Sequence, residues 1–201
     1  MQRFVFRIVI AFLAAGCCAG NGHGQTGTVP NVFSKPAVRP SNDASATLVP
    51  LDNPATVDQI REYLQLSGDM DAFRLRWIAA VDENRSLGAP YWPEDFWTAL
   101  KAEMQKTDLV PMYISLFQHG ISKELMQEII DTYHTLGADH FKGSPACFKL
   151  GDAYLALEGD MDKLKLAKTT EVSTKVYDEY KPQIKAARAK YMTEHPDWKD
   201  Q

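Results

Sequence analysis

Cysteine is scarce: three residues in 201, two of them adjacent at Cys17-Cys18. No disulfide framework can be built from that set, so stability has to come from a packed core. Strand signals are missing as well. Nowhere do Val, Ile, Thr or aromatic residues alternate between turn dipeptides, which excludes a sandwich or barrel. No segment repeats at a fixed period, which excludes a solenoid. The longest apolar run near the N-terminus, Ile8 to Ala15, is too short for a bilayer span of about 20 residues. Positive charge is not in surplus either, with 22 Lys and Arg against 26 Asp and Glu and a formal net charge of −4. Such a chain has no general attraction for nucleic acid or anionic lipid.

What is present is ordinary globular composition, 45% hydrophobic and 24% charged, enough for one domain with a real core. The most strongly patterned stretch is Leu109 to Gly137. Leu109, Met112, Tyr113, Leu116 and Phe117, then Leu125, Ile129, Ile130, Tyr133 and Leu136, recur at three- and four-residue steps, the period of helices with one buried side. Two helices are expected to meet at Gly120 as a hairpin. Ser122 is placed to cap the second, Glu124 falls in its positive first turn, and Gly137 suits a left-handed C-terminal residue. Pro111 is acceptable because it falls in a first turn.

The N-terminus reads differently from the rest. Arg3 and Arg7 flank a short basic start, the apolar run follows, and small residues come next, which predicts a secretory signal peptide over residues 1–19. Leu13-Ala14-Ala15-Gly16-Cys17 resembles a lipoprotein cleavage box, with Cys17 as the lipidation site. Ordinary cleavage after Ala19 to Gly24 is the other route, and either removes Arg3 and Arg7, taking the formal charge to −6. Residues 20–55 carry five prolines and few large apolar side chains, so a disordered linker is expected there, with the folded domain at 56–195.

Further helices are predicted on both sides of the central pair. Thr56 with Gln59 forms a capping box ahead of Val57, Ile60, Tyr63 and Leu64, and Ser67-Gly68 ends that helix. Asp69 is positioned to cap a second, with Phe73, Trp77, Ile78 and Val81 on one side. Pro93 suits the first position of a third, ahead of Phe96, Trp97, Leu100 and Met104. Beyond Gly137, Ser144-Pro145 starts a helix whose inward side is Phe148, Leu150, Tyr154 and Leu157. A further helix is expected after Gly159, interrupted or kinked at Pro182. The fold class is therefore all-α, an antiparallel bundle of about six to eight helices.

The order Tyr113, Ser122-Lys123-Glu124-Leu125, Ile129-Ile130-Asp131-Thr132-Tyr133 and Thr135-Leu136-Gly137 resembles the exported bacterial family catalogued as domain of unknown function 2059. The likeness extends over roughly Val57 to Leu157. It implies a helical envelope protein and supplies no catalytic residues.

Four places invite chemistry. Tyr91 and Trp92, in an irregular segment before Pro93, are candidates for an aromatic platform for glycan or peptide. Glu94 and Asp95 follow them, but their position against the helix dipole explains them without an acid–base role. Asp131, His134 and His140 are the weak candidates for a metal, since imidazole and carboxylate can bind one; the spacing matches no established ligand signature, and no metal or cofactor is expected. Cys147, in a first helical turn, is either a thiol activated by the dipole or a small buried apolar group. No nucleophile–base constellation accompanies it. The charges of the C-terminal helix nearly cancel, and its looser apolar stripe could serve a homo-oligomer. The expected role is a non-enzymatic envelope module, periplasmic or anchored facing the periplasm, that binds or supports an envelope protein or glycan. It touches the membrane only through a lipid on Cys17. The competing expectation is an envelope hydrolase or metal-dependent enzyme acting through Tyr91–Asp95 or His134–His140.

Overall fold

The computed structural model describes residues 51–86 and 88–198. The signal peptide, Cys17 and the linker up to residue 50 lie outside the described residues. Within them the chain forms six helices, α1 (Val57–Ser67), α2 (Asp69–Ser86), α3 (Glu94–Lys106), α4 (Val110–Gly120), α5 (Lys123–Phe141) and α6 (Pro145–Glu194). No described helix is long and apolar enough to cross a membrane.

The helix α6 is the spine. Its 50 residues extend about 75 Å at 1.5 Å per residue. Near its start α4 and α5 pack against it, with α1 laid on both; farther along, α3 packs against it and α2 lies on α3. Leu150 and Leu157 serve the first group and Val172, Val176 and Ile184 the second, all of them buried. The expected starts hold where a side chain caps a helix. Thr56 and Gln59 form the reciprocal box, Ser122 accepts from the Leu125 amide, and Ser144 accepts from the Cys147 amide. Gly68 ends α1 with φ 68°, the left-handed conformation glycine adopts freely. Pro93 is the residue before α3 rather than its first.

Several expectations are corrected. No helix starts after Gly159 and none breaks at Pro182: α6 runs through both. Glycine in a helix costs only about 1 kcal/mol against alanine, and the buried Leu157 and Val172 hold the helix on either side. Pro182 is exposed, so the carbonyl its ring leaves without a partner meets water. Phe148 is 61% exposed, because two residues before Leu150 is about 200° round the helix from the buried side. Leu136 is 42% exposed. Gly137 has φ 72° and ψ 167°, a break as expected, but one more helical stretch follows it to Phe141, whose ring stacks 3.9 Å from that of Tyr133. Asp69 does not cap α2; it lies in its first turn, and its carboxylate turns inward.

The hairpin is also rearranged. The α4 and α5 helices meet at the expected corner but do not lie side by side; each packs on α1 and α6 instead. Gln59 Nε2 donates to the Lys123 carbonyl at 3.1 Å and to Gln127 Oε1 at 2.9 Å, and Glu62 reaches His134 farther along. Residue numbers rise together in both helices, so α1 and α5 run parallel. The cause is a strap formed by residues 51–55. The Ala55 amide donates to the Ile121 carbonyl at 2.9 Å, the Lys123 amide to the Asn53 carbonyl at 3.0 Å, and Pro54 bridges Ser122 in antiparallel fashion. This pairing sets the two capping residues, Thr56 and Ser122, beside each other, and both helices leave in the same direction. Ala55 is fully buried, so the ordered domain takes in the last residues of the expected linker.

Candidate functional site

The aromatic candidates sit where the second group of helices meets the end of α6. A turn between α2 and α3 presents them, closed by the Trp92 amide donating to the Ala89 carbonyl at 3.1 Å. Gly88 lies close to its neighbours there: a Cβ on it would stand 3.1 Å from the Trp97 ring and 3.2 Å from the Arg85 carbonyl, a tight contact that would need a small shift. Trp92 faces inward, its ring 4.7 Å from Phe96, 5.6 Å from Trp97 and 6.1 Å from Tyr177. Tyr91 faces the other way, toward residues the sequence did not single out for this site. Its ring is 6.1 Å from Tyr191 and 5.6 Å from Trp198.

The chain reaches this arrangement by folding back after α6. The His195 amide donates to the Tyr191 carbonyl at 2.8 Å and the Trp198 amide to the His195 carbonyl at 3.0 Å, a compact turn around Pro196. Trp198 stands nearly perpendicular to both Tyr91 and Tyr191, at 88° to each, the edge-to-face geometry that ring quadrupoles favour. The His195 ring lies 4.3 Å from that of Tyr191. An open cleft of about 400 Å³ is lined by Tyr191, Glu194, His195, Pro196, Asp197 and Trp198. Tyr191 keeps the helical spacing from the buried Ile184, which would suggest core, but it is half buried at the cleft and outside the core. Trp198 lies beyond the helix, and nothing local in the sequence tells which surface it returns to.

Glu94 and Asp95 do not join this cleft. Glu94 pairs with Arg85 at 2.5 Å, both half exposed, and Asp95 is exposed in the same first turn. The pair ties α3 to the end of α2.

A second, broader groove runs between the strap, α1 and α5. It includes Asn53, Gln59, Glu124, Glu128, Asp131 and Thr132 in its lining. Gln59, Gln127 and Asp131 are linked in series, with Gln127 Nε2 donating to Asp131 Oδ1 at 2.9 Å, and two separate pairs join Asn53 to Glu124 and Lys149 to Glu128, the latter at 2.7 Å. The metal candidates are not brought together here. Asp131 holds Gln127, His134 Nε2 meets Glu62 Oε1 at 2.8 Å, and His140 lies beyond the break at Gly137. Among the described residues no three His, Cys, Asp or Glu side chains are gathered as metal ligands would be.

The interior holds a polar cluster that sequence reasoning missed. Tyr63 and Tyr154 both donate to Asp69 Oδ2, the latter at 2.9 Å, and their hydroxyls are 3.3 Å apart. The Tyr113 hydroxyl donates to the Asp69 carbonyl at 3.5 Å. Burial pushes the Tyr63 phenol well above its usual range, and the charge and hydrogen bond of Asp69 push it further. Burial does the same to Tyr154, reinforced by Tyr63 and Asp69. Both phenols therefore stay protonated at neutral pH and act as donors to one carboxylate. The cluster joins α1, α2 and α6 at one point, and its chemistry is that of a clamp. Cys147 is buried at 5% exposure beside Ala146 and Leu150, with its amide on Ser144 Oγ at 3.1 Å.

No family model, curated protein or solved structure matches this chain.

Proposed function

We propose that the chain is an exported, non-enzymatic binding module of the bacterial cell envelope, and that its contact surface is the aromatic end of the bundle. One observation carries the reading. Tyr191 and Trp198 are half buried against each other and against Tyr91, and they stand outside the continuous core against which Tyr91 itself packs. Aromatic rings that keep part of their area in water where core packing does not demand them are the usual anchors of a contact surface. The basic and apolar N-terminal segment and the resemblance to domain of unknown function 2059 support the location. The pairing of Glu94 with Arg85 and the separation of Asp131, His134 and His140 speak against the hydrolase.

Cell fractionation tests location and contact together, with Cys17→Ala in every protein so that no lipid holds it in the pellet. The processed chain is then expected outside the cytoplasm and in the sedimented envelope, and the addition of Tyr91→Ala/Trp198→Ala is expected to release it from that pellet. An uncut precursor in the cytosol would overturn the location. Release of sugar or peptide from purified envelope by the native protein, abolished in Glu94→Ala, would replace binding by hydrolysis.

A further inference from the structure

The geometry points to an uncharged carbohydrate as the ligand of the cleft at the end of α6, an inference that rests on reading this end as a contact surface. The lining combines two chemistries. Tyr191 and Trp198 supply flat apolar rings, and Glu194 and Asp197 supply carboxylates beside them. A pyranose ring carries the complementary pair of features, one face of C–H bonds that lies on an aromatic ring and a rim of hydroxyls that donate to carboxylate oxygens. The cleft is open, about 400 Å³, and offers a ring a surface to lie on rather than an enclosed cavity.

Other ligand classes fit the same residues poorly. Among the described residues the lining contains two carboxylates and no Lys or Arg, so a phosphate, a nucleotide or an anionic lipid headgroup would meet like charge there. It also contains no Leu, Ile, Val or Met, so an amphipathic peptide helix would find no aliphatic groove for its buried face. An uncharged sugar avoids both conflicts.

Each residue then has a part. Trp198 and Tyr191 pack edge to face, 5.5 Å apart and at 88° to one another, so a sugar ring would lie on the ring surface that this pair leaves toward the cleft. His195, 4.3 Å from the Tyr191 ring, fixes that wall and is a positioning residue. Glu194 and Asp197 are exposed acceptors at the mouth; Glu194 pairs with Lys190 at 3.9 Å, a loose contact that a hydroxyl can displace.

The test uses the full processed chain and a soluble N-acetylglucosamine hexamer, followed by calorimetry and by tryptophan emission. The native protein is expected to bind the hexamer saturably. Trp198→Ala and Tyr191→Ala are each expected to weaken binding at least about tenfold, the loss of roughly 1.4 kcal/mol of stacking, with an unchanged far-ultraviolet circular dichroism spectrum. Trp198→Phe, which keeps a ring, should restore most of the affinity, and Glu194→Gln should weaken binding without moving the melting temperature. Absence of saturable binding by the native chain, or native affinity retained in both alanine variants, overturns the carbohydrate assignment. If the hexamer never binds while Trp198→Ala still abolishes envelope sedimentation, the sugar is refuted and the contact surface stands. If neither measurement responds, both are refuted.

Discussion

Gly120 offers the sharpest test of how the bundle is assembled, because two effects of opposite sign act at one atom. It is the last residue of α4 and does not have a positive φ, so alanine can adopt its backbone conformation. On that ground alone Gly120→Ala would stabilise the fold by about 0.4–1 kcal/mol through the unfolded chain. Packing opposes this. A Cβ at Gly120 would stand 2.5 Å from Cγ, Cδ1 and Cδ2 of Leu157, and Leu157 is 4% exposed, with its branch point and not merely a free tip in the way. Overpacking of this kind costs about 1–3 kcal/mol, so the clash wins and the net change is a loss of about 1–2 kcal/mol. The control removes the obstacle. Leu157→Ala alone should cost about 2–5 kcal/mol, and in that background Gly120→Ala should become neutral or slightly stabilising. Urea unfolding of the four proteins closes the cycle, with a favourable coupling of about 1–3 kcal/mol expected. Equal effects of Gly120→Ala in both backgrounds would refute the α4–α6 contact as described.

The remaining predictions address the clamp, the strap, the spine and its outer side. Tyr63 and Tyr154 have phenol pKa values raised above the unfolded value of about 10, so their contribution is fully present below pH 10 and is lost as pH rises through the higher folded values. Two of the eight tyrosines should therefore ionise only as helicity disappears, read by absorbance near 295 nm against circular dichroism, and independent ionisation in the folded state would contradict the burial. Tyr154→Phe should cost about 1.5–3 kcal/mol, the range for a hydrogen bond to a charged group, measured by urea unfolding. A processed chain begun at Thr56 instead of Leu51 should lose about 2–4 kcal/mol with the strap's backbone bonds and the buried Ala55; an unchanged melting curve would make the strap incidental. Pro182→Ala should raise stability by about 1–3 kcal/mol by restoring a backbone bond in an exposed helical position, and a lower melting temperature would show that the proline has a packing role. Phe148→Ala should change stability by under about 0.5 kcal/mol while Leu150→Ala costs about 2–5.

Where a local rule acts alone, the sequence was a sufficient guide. The capping residues Thr56, Ser122 and Ser144 and the left-handed Gly68 are settled within a few residues of chain, and each is where the pattern put it. The inward stripes of α1, α3 and α4 were legible for the same reason, since the 3.6-residue period is a property of the backbone. Arrangement was less legible. The expectation of antiparallel neighbours follows from short connections, and it misses α1 and α5 because the strap, with Pro54 beside Ser122, brings together two helix starts whose caps, Thr56 and Ser122, are 66 positions apart in the chain. Breaks were misjudged in the same way. Gly159 and Pro182 are weak local vetoes of about 1 and 3 kcal/mol, and the buried residues around them on a 50-residue helix outweigh both.

The functional surfaces were the least legible part, and the reason is physical. Asp69 is an ordinary capping candidate until Tyr63 and Tyr154 close on its carboxylate, and those residues are 6 and 85 positions away. Tyr91 and Trp92 look equivalent as a pair in an irregular segment. The fold separates them: Trp92 joins Phe96, Trp97 and Tyr177, whereas Tyr91 turns to Tyr191 and Trp198. Both rings are half buried and touch the core, so it is their neighbours that distinguish them: Trp92 packs among core rings, whereas Tyr91 adjoins two rings of the cleft. The contact residues to vary are therefore Tyr91, Tyr191 and Trp198, with Trp92 as the comparison. Trp92→Ala should lower the melting temperature by removing core, whereas Trp198→Ala should leave it nearly unchanged and lose the envelope. A matching loss of stability in the two variants would mean that the aromatic end is spent on the fold.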